Sequence, residues 1–163
     1  MTTYLLDTNV FIQAKNREYG FDFCPAFWDW VDTANADGKV FSIDSVRDEL
    51  IGGSDDLADW AKARHAQFFL TPDGAVVDAL RELSEWTTDA DYEQVAKSTF
   101  LSGADSFLVA HAIAGDHVIV THERVDNSRK RIKIPEAAIP HGVKCLNPYE
   151  LLRTEHARFV LGS

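Results

Sequence analysis

Short apolar segments alternate along the chain with longer stretches in which apolar residues recur every three or four positions. Five segments are of the first kind: Thr3–Leu6, Val40–Ile43, Gln67–Leu70, Val118–Thr121 and Val143–Leu146. Short, largely apolar runs are typical of strands that are buried on both faces of a parallel sheet. The pattern therefore predicts about five parallel strands.

The segments between these runs have helical periodicity. The predicted helices are Ala26–Ala36, Asp44–Ile51, Asp56–Ala66, Asp73–Trp86, Gly103–Ala114 and a short helix beginning at Pro148–Leu152. In residues 73–86, Val76, Val77, Leu80 and Leu83 share one face. Asp44 stands where an N-cap is expected. Strands that alternate with helices predict an α/β fold, with a parallel sheet flanked by helices on both faces.

Size and composition suit a single domain over residues 1–163. The chain has no apolar run near the length of a transmembrane helix, and its first residues do not resemble a signal peptide. Cys24 and Cys145 are the two cysteines, so no disulfide framework is indicated. The expected location is a reducing cytoplasm.

The chain is acidic, with a net charge of −10 and a pI of about 4.9. This charge argues against a protein that binds nucleic acid mainly through a basic surface. It leaves room for a nuclease that reaches phosphates through bound cations. An acidic surface also suits a basic protein partner.

Four acidic residues stand where the carboxyl ends of the predicted strands would bring them together. Asp7 directly follows the first strand, and Glu123 follows the fourth. Glu49 lies early in the helix after the second strand, and Asp105 lies at the start of the helix before the fourth. Function collects at the carboxyl ends of strands in open parallel sheets, so we expect these carboxylates to meet at one edge.

The residue types around these acids suggest a metal site. Asp7 is followed by Thr8 and Asn9, whose hydroxyl and amide groups can orient a carboxylate or a metal-bound water. Asp105 lies among small and apolar residues, where a carboxylate needs a partner such as a cation. Hard carboxylate oxygens suit Mg²⁺ or Mn²⁺, and these ions activate water for phosphodiester hydrolysis.

Four segments together resemble the PIN-domain family. They are Leu-Leu-Asp-Thr-Asn at 5–9, Arg-Asp-Glu-Leu at 47–50, Gly-Ala-Asp-Ser-Phe at 103–107 and Val-Ile-Val-Thr-His-Glu at 118–123. The order and spacing agree over about the first 125 residues. The remaining tail is similar to a bacterial PIN-like subgroup first described only as a domain of unknown function. The resemblance implies a three-layer PIN-like fold, an acidic metal site and hydrolysis of RNA.

The resemblance also implies partners. Many bacterial relatives are VapC-like toxins that an antitoxin protein holds inactive, and homodimers are common in the family. The resulting hypothesis is a Mg²⁺- or Mn²⁺-dependent endoribonuclease that acts as the toxin of a toxin–antitoxin pair.

Asp7 and Asp105 are the expected direct metal ligands. Glu49 and Glu123 would bind a second ion, hold water ligands or help position the attacking water. Asn9 and Thr121 are candidates for supporting contacts. The family has aspartate where Glu123 stands, so Asp126 remains an alternative for the fourth acid or a supporting residue nearby.

The only dense basic stretch follows the fourth strand and contains Arg124, Arg129, Lys130, Arg131 and Lys133. It is interpreted either as a solvated loop or as an edge that steers RNA phosphates toward the acids.

Two other functions remain open. A haloacid-dehalogenase-like phosphatase also places an aspartate after its first strand, but it expects a second aspartate where Asn9 stands. A catalytically inactive PIN-like module that binds RNA or protein would bind little Mn²⁺. Metal binding therefore separates this module from the nuclease.

Overall fold

The computed structural model describes residues 1–162 and contains a five-stranded parallel sheet. The strands are β1 Tyr4–Leu6, β2 Val40–Ile43, β3 Phe69–Leu70, β4 Val118–Val120 and β5 Cys145–Leu146. Their order is β3-β2-β1-β4-β5, so β1 lies at the centre. Tyr4 is in register with Val40 on one side and Val118 on the other. The predicted sheet is confirmed, although β3 and β5 are only two residues long.

Helices connect and cover the strands. In residues 1–162 they are α1 Thr8–Gln13, α2 Pro25–Ala36, α3 Asp44–Ile51, α4 Asp56–Lys62, α5 Gly74–Asp89, α6 Gln94–Ser102, α7 Ala104–Gly115, α8 Ile134–Ala138 and α9 Pro148–Thr154. A π-helical turn, Ala14–Glu18, continues α1, and a 3₁₀ turn, Ile139–His141, continues α8. The three helices α1, α6 and α8 were not predicted.

Two details of the predicted helices were wrong. Helix α4 ends at Lys62 rather than Ala66, because the N–H of Ala63 bonds the carbonyls of both Asp59 and Trp60 at 3.2 Å, which tightens the last turn. Asp44 is the first residue of α3 rather than its N-cap, a position held by Ile43. An acidic side chain in a first helical turn still interacts favourably with the helix dipole.

The core explains why the strand segments are apolar throughout. Tyr4, Leu5 and Leu6 are almost completely buried, because helices cover both faces of the sheet. Next to β1, the rings of Phe11, Trp28, Trp60 and Phe68 pack with centroids 5.0–6.3 Å apart. This aromatic packing holds α1 against α4 and against Phe68, the residue before β3. It therefore also fixes the turn between β1 and α1, where Asp7 lies.

The two cysteines, Cys24 and Cys145, are free thiols and partly buried. Within residues 1–162, no helix combines the length and the apolar character needed to cross a bilayer.

Candidate metal centre

Asp7 is held rigidly at the carboxyl end of β1. Its N–H donates to the carbonyl of Val120 at 3.0 Å, and its own carbonyl accepts from the N–H of Val10 at 3.1 Å. Asp7 occupies the N-cap position of α1, yet its side chain makes no capping bond. Instead, Oδ2 accepts a hydrogen bond from the Thr121 hydroxyl at 2.9 Å. The residue is only 3% exposed, so the carboxyl group is buried at the sheet edge.

Asp105 approaches the same edge from the first turn of α7. Most of α7 is buried, because it packs against α5, α6 and the sheet. Asp105 is one of its partly exposed positions, and Glu49 lies on an exposed part of α3, which packs against α7. The charges of Glu49 and Glu123 both act on Asp105. The four predicted acids therefore share one electrostatic environment.

The pKa values of the two aspartates show the electrostatic cost of burying them near other acids. Burial raises the pKa of Asp7 to about 7; the charges of Asp105 and Glu123 add to the rise, and the Thr121 hydrogen bond opposes it. Burial also raises the pKa of Asp105 to about 6, with Glu123 adding to the rise and Arg131 opposing it. A bound cation would relieve both burial and repulsion by compensating the negative charge.

Glu123 already has partners for both carboxylate oxygens. Oε2 accepts from Arg131 Nη2 at 2.5 Å, and Oε1 accepts from the N–H of Ile134 at 2.8 Å. Its own N–H donates to the Thr121 hydroxyl at 3.1 Å. The Glu123 side chain is only 8% exposed. Glu123 therefore anchors the loop between β4 and α8 as well as lying beside the aspartates.

The donor chemistry of the Asp7–Asp105 pair fits a hard divalent cation. The Asp7 carboxylate is buried, accepts a hydrogen bond from the Thr121 hydroxyl, and is acted on by the charges of Asp105 and Glu123. Mg²⁺ keeps several water ligands and commonly uses only one or two carboxylates. Across residues 1–162, no group of three or more His, Cys, Asp or Glu side chains is arranged to hold a metal ion. The pair would therefore form an incomplete ligand ring, completed by water.

The other predicted supporting residues lie in different surroundings. Thr121 contacts Asp7 directly, as its position suggested. Asn9 is exposed on the first turn of α1 and has no hydrogen bond to any of the four acids in the described part of the chain. Asp126 is exposed, and its carboxylate lies 3.9 Å from Lys133 Nζ. Neither Asp7 nor Asp105 has Asp126 among the charges that shift its pKa.

One residue that organises this region was not predicted. Glu136 is 9% exposed, and its carboxylate accepts from the N–H of Asn127 at 3.2 Å and of Lys133 at 3.0 Å. A glutamate at the third position of a helix that begins with proline at its N-terminus is a recognised start signal. Lys133 stands at the N-cap, where a serine or threonine is normally expected, so the pattern was weak.

The basic stretch forms a tethered loop beside the acids. Arg129 pairs with Asp91 at 2.8 Å, and its carbonyl accepts from the N–H of Glu93 at 2.9 Å. Arg124 and Lys130 are exposed and make no ion pair within the described residues. Lys130, Arg131 and Asp105 line a cleft of about 160 Å³. Of the two cations without an ion pair in residues 1–162, Lys130 therefore lies beside Asp105.

Glu123→Gln is expected to lower the free energy of unfolding by about 1–3 kcal/mol, because the amide would present an NH₂ group to one of two donors that now meet a carboxylate. Asp126→Asn removes the same charge from an exposed position. It should change the free energy of unfolding by less than about 0.5 kcal/mol. Urea denaturation measures both. Equal effects would contradict the anchoring role of Glu123.

Comparison with known proteins adds a family and a fold. Residues 4–159 match DUF4411, a domain of unknown function. A chain in the crystal structure of FitAcB from Neisseria gonorrhoeae has a TM-score of 0.57 and 18% identity, with 90% of this chain and 99% of that chain covered. A chain of FitAB bound to an IR36 DNA fragment has a TM-score of 0.56 and 16% identity, with 90% and 96% covered.

A third solved structure is VapBC2 from Rickettsia felis, bound to a DNA fragment from their promoter. One of its chains has a TM-score of 0.53 and 15% identity, with 90% of this chain and 98% of that chain covered. No curated protein has a sequence that matches this chain. At these identities the likeness establishes the fold, and it confirms the predicted three-layer PIN-like architecture.

Proposed function

The chain belongs to the DUF4411 family, a family of unknown function, and we propose that it is a divalent-metal-dependent endoribonuclease centred on Asp7 and Asp105. One observation carries the proposal. Asp7, which is only 3% exposed, lies near other acids at the carboxyl edge of a parallel sheet, and no Lys or Arg side chain within residues 1–162 forms an ion pair with it. Burying such a group is costly unless a cation or proton compensates it. The PIN-like fold supports the same conclusion.

Asp7 and Asp105 would hold Mg²⁺ or Mn²⁺, and Glu49 would hold water ligands from the exposed side. When bound, the ion would supply an activated water and neutralise charge on the phosphate. Thr121 orients the Asp7 carboxylate through its hydroxyl. Glu123 adds negative charge near both aspartates and keeps the loop in place.

The basic loop would bind the RNA backbone next to the acids. In EDTA, which prevents metal-dependent cleavage, Arg124→Met and Lys130→Met should each weaken binding to a single-stranded RNA. Each should reduce the slope of log affinity against log salt by about 0.7. Lys62→Met is the matched control, because Lys62 is exposed at the end of α4, before β3 and far along the chain from the loop. Equal slopes in all three variants would exclude this loop as the RNA-binding edge.

A second candidate function is a non-catalytic PIN-like module that binds RNA or protein. Two observations favour it: Glu123 is engaged by Arg131 and Ile134, and no three-residue metal cluster is formed in residues 1–162. Both candidates predict RNA binding, but only the nuclease requires a divalent ion. Metal dependence therefore separates them.

A protein partner would regulate the nuclease. We propose that the chain is the toxin of a toxin–antitoxin pair, as its resemblance to VapC-like proteins suggests. Two similar solved structures, those of FitAB and VapBC2, are complexes bound to DNA. The net charge of −10 suits a basic antitoxin segment. Self-association into a homodimer belongs to the same proposal.

The direct test uses the purified chain, free of any partner, with a pool of structured cellular RNAs in Mn²⁺ or in EDTA. Discrete cleavage in Mn²⁺ that disappears in EDTA is expected, and mapping the new ends identifies the RNA. Cleavage that is the same in EDTA would contradict metal dependence. No cleavage together with intact RNA binding would favour the non-catalytic module.

A further inference from the structure

A cavity of about 280 Å³ opens next to the acidic centre, between the ends of β4 and β5 and the helices α8 and α9. Thr121 and Glu123 belong to its lining. These two residues also contact or act on Asp7. The cavity therefore adjoins the proposed metal centre through Thr121 and Glu123, while Asp7 and Asp105 themselves lie outside its lining.

One wall of the cavity is aromatic and held in place. The ring of Tyr149 meets the ring of His122 edge to face, with centroids 6.2 Å apart. The Tyr149 hydroxyl donates to Glu18 at 2.8 Å, which fixes the orientation of the ring. An immobilised aromatic ring is a suitable surface for stacking a nucleobase, because little side-chain freedom remains to be lost.

The other walls combine apolar surface with a few polar groups. Leu146, Pro135 and the thiol of Cys145 are apolar; burial raises the pKa of Cys145 to about 11, so the thiol stays neutral. At the rim, the apolar side chain of Ile139 is 58% exposed. Apolar surface beside fixed polar groups can give a planar ligand both a packing surface and hydrogen-bonding partners.

The polar groups of the cavity supply both kinds of hydrogen-bonding partner. Asn147 Oδ1 accepts from the N–H of Glu150 at 2.8 Å, which directs the amide NH₂ of Asn147 away from that bond. Glu150 adds a carboxylate, and Arg124 adds an exposed cation. The edge of an unpaired base carries donors and acceptors that such groups can recognise, and the adjacent phosphate would suit the arginine.

We propose that this cavity binds one unpaired nucleobase flanking the phosphodiester that the metal centre cleaves. The inference rests on the proposed ribonuclease function. The cavity volume of about 280 Å³ lies just below the usual range for small-molecule pockets, roughly 300–1,000 Å³, so the cavity suits a single base rather than a helix or peptide strand. The substrate is then single-stranded, or a loop, at the cleavage site, because a paired base cannot leave its helix without an energetic cost.

The test measures binding of a short, fluorescently labelled single-stranded RNA to the Asp7→Asn chain without metal. The same RNA is then prepared with an abasic nucleotide at each position in turn. At one position, loss of the base should weaken binding about tenfold, within the range expected for base–aromatic stacking. Equal binding of the intact RNA and every abasic RNA would overturn the proposal and leave the cavity to a protein side chain.

Tyr149→Ala and Tyr149→Phe show whether that base stacks on Tyr149. Tyr149→Ala should weaken binding of intact RNA about tenfold, yet leave binding of the RNA that is abasic at the sensitive position unchanged. Tyr149→Phe keeps the ring, although it loses the bond to Glu18, and should bind nearly as the parent does. If Tyr149→Ala weakens binding of the intact RNA and of the abasic RNA equally, the proposed contact between Tyr149 and the base is contradicted.

Failure of this inference is distinguishable from failure of the proposed function. If the wild-type chain cleaves RNA in Mn²⁺ but no abasic position affects binding, the nuclease stands and the base site does not. If one abasic position weakens binding but no cleavage occurs, the base site is supported and the protein is an RNA-binding module rather than a nuclease.

Discussion

Asp7→Asn is expected to abolish metal-dependent RNA cleavage while making the metal-free protein more stable above neutral pH. The activity should fall by more than about a hundredfold, because loss of even an outer partner of a metal ligand costs 10–100-fold. The amide replaces a buried carboxylate with a group of similar shape, and its oxygen can still accept from the Thr121 hydroxyl. The fold therefore remains intact.

The expected gain in stability follows from the pKa of Asp7. Its folded value is about 7, above the ordinary value of 3.8, so the folded protein binds the proton more tightly than the unfolded chain does. The contribution of Asp7 to stability is fully present below about pH 4 and is lost as the pH rises to and through 7, where the buried group ionises. Because asparagine does not titrate, the free energy of unfolding of Asp7→Asn should exceed that of the wild-type chain. The difference grows over the same pH range to at most about 4 kcal/mol.

Urea denaturation of the two proteins in EDTA, at about pH 5 and about pH 8, measures this difference. Asp37→Asn is the matched control, because Asp37 is exposed at the end of α2 and its loss changes the charge equally. Retained cleavage in Asp7→Asn would refute the assigned role. Lower stability of Asp7→Asn at both pH values would refute the electrostatic cost assigned to the buried carboxylate.

The second large effect is stabilisation by Mn²⁺. At a concentration about one hundred times its dissociation constant, an ion that binds only the folded state adds about 2.7 kcal/mol. For a domain near this size, such a gain corresponds to a rise of about 5–10 °C in Tm. Thermal unfolding in Mn²⁺ and in EDTA measures it.

The rise in Tm should depend on pH. Protons compete with Mn²⁺ for Asp7 and Asp105, whose pKa values lie near 7 and 6, so the effect of Mn²⁺ should be large at about pH 8 and small below about pH 5. Asp105→Asn should remove most of the rise, whereas Asp126→Asn should retain it. A pH-independent rise that survives Asp105→Asn would locate the ion elsewhere.

The main elements of the fold were predictable because their sequence pattern and their burial agree. The segments around β1, β2 and β4 are apolar on both faces, and each is buried on both faces in the structure. The periodicity of residues 73–86 corresponds only in part to the core of α5: Val76 and Leu83 are buried, whereas Val77 is 49% exposed. Both ends of such elements are less predictable, because local hydrogen bonds decide them.

The three unpredicted helices are short or weakly patterned. Helix α1 has six residues and passes into a π-helical turn, closed by the N–H of Tyr19 on the carbonyl of Ala14 at 2.8 Å. Helix α8 has five residues and begins beside Pro135, a residue that reads from sequence as a turn. Packing against the sheet, rather than intrinsic propensity, stabilises such short helices.

The placement of the acids was predictable, but their partners were not. The end of β1 and the start of α7 put Asp7 and Asp105 at the predicted edge, since topology alone determines those positions. The contacts of Glu123 with Arg131 and Ile134 depend on the path of the loop that follows β4. No periodic pattern encodes that path, so the sequence does not predict these contacts. Glu123 and Asp126 were alternatives because the resembled family has aspartate where Glu123 stands.

The central claim is that the Asp7–Asp105 pair holds the divalent ion. Anomalous diffraction at the manganese absorption edge, from crystals grown or soaked with Mn²⁺, tests it most directly. We expect a dominant manganese peak bonded to Asp7 and Asp105, and its loss in crystals of Asp105→Asn. A dominant peak at another site, or none beside these carboxylates at saturating Mn²⁺, would contradict it.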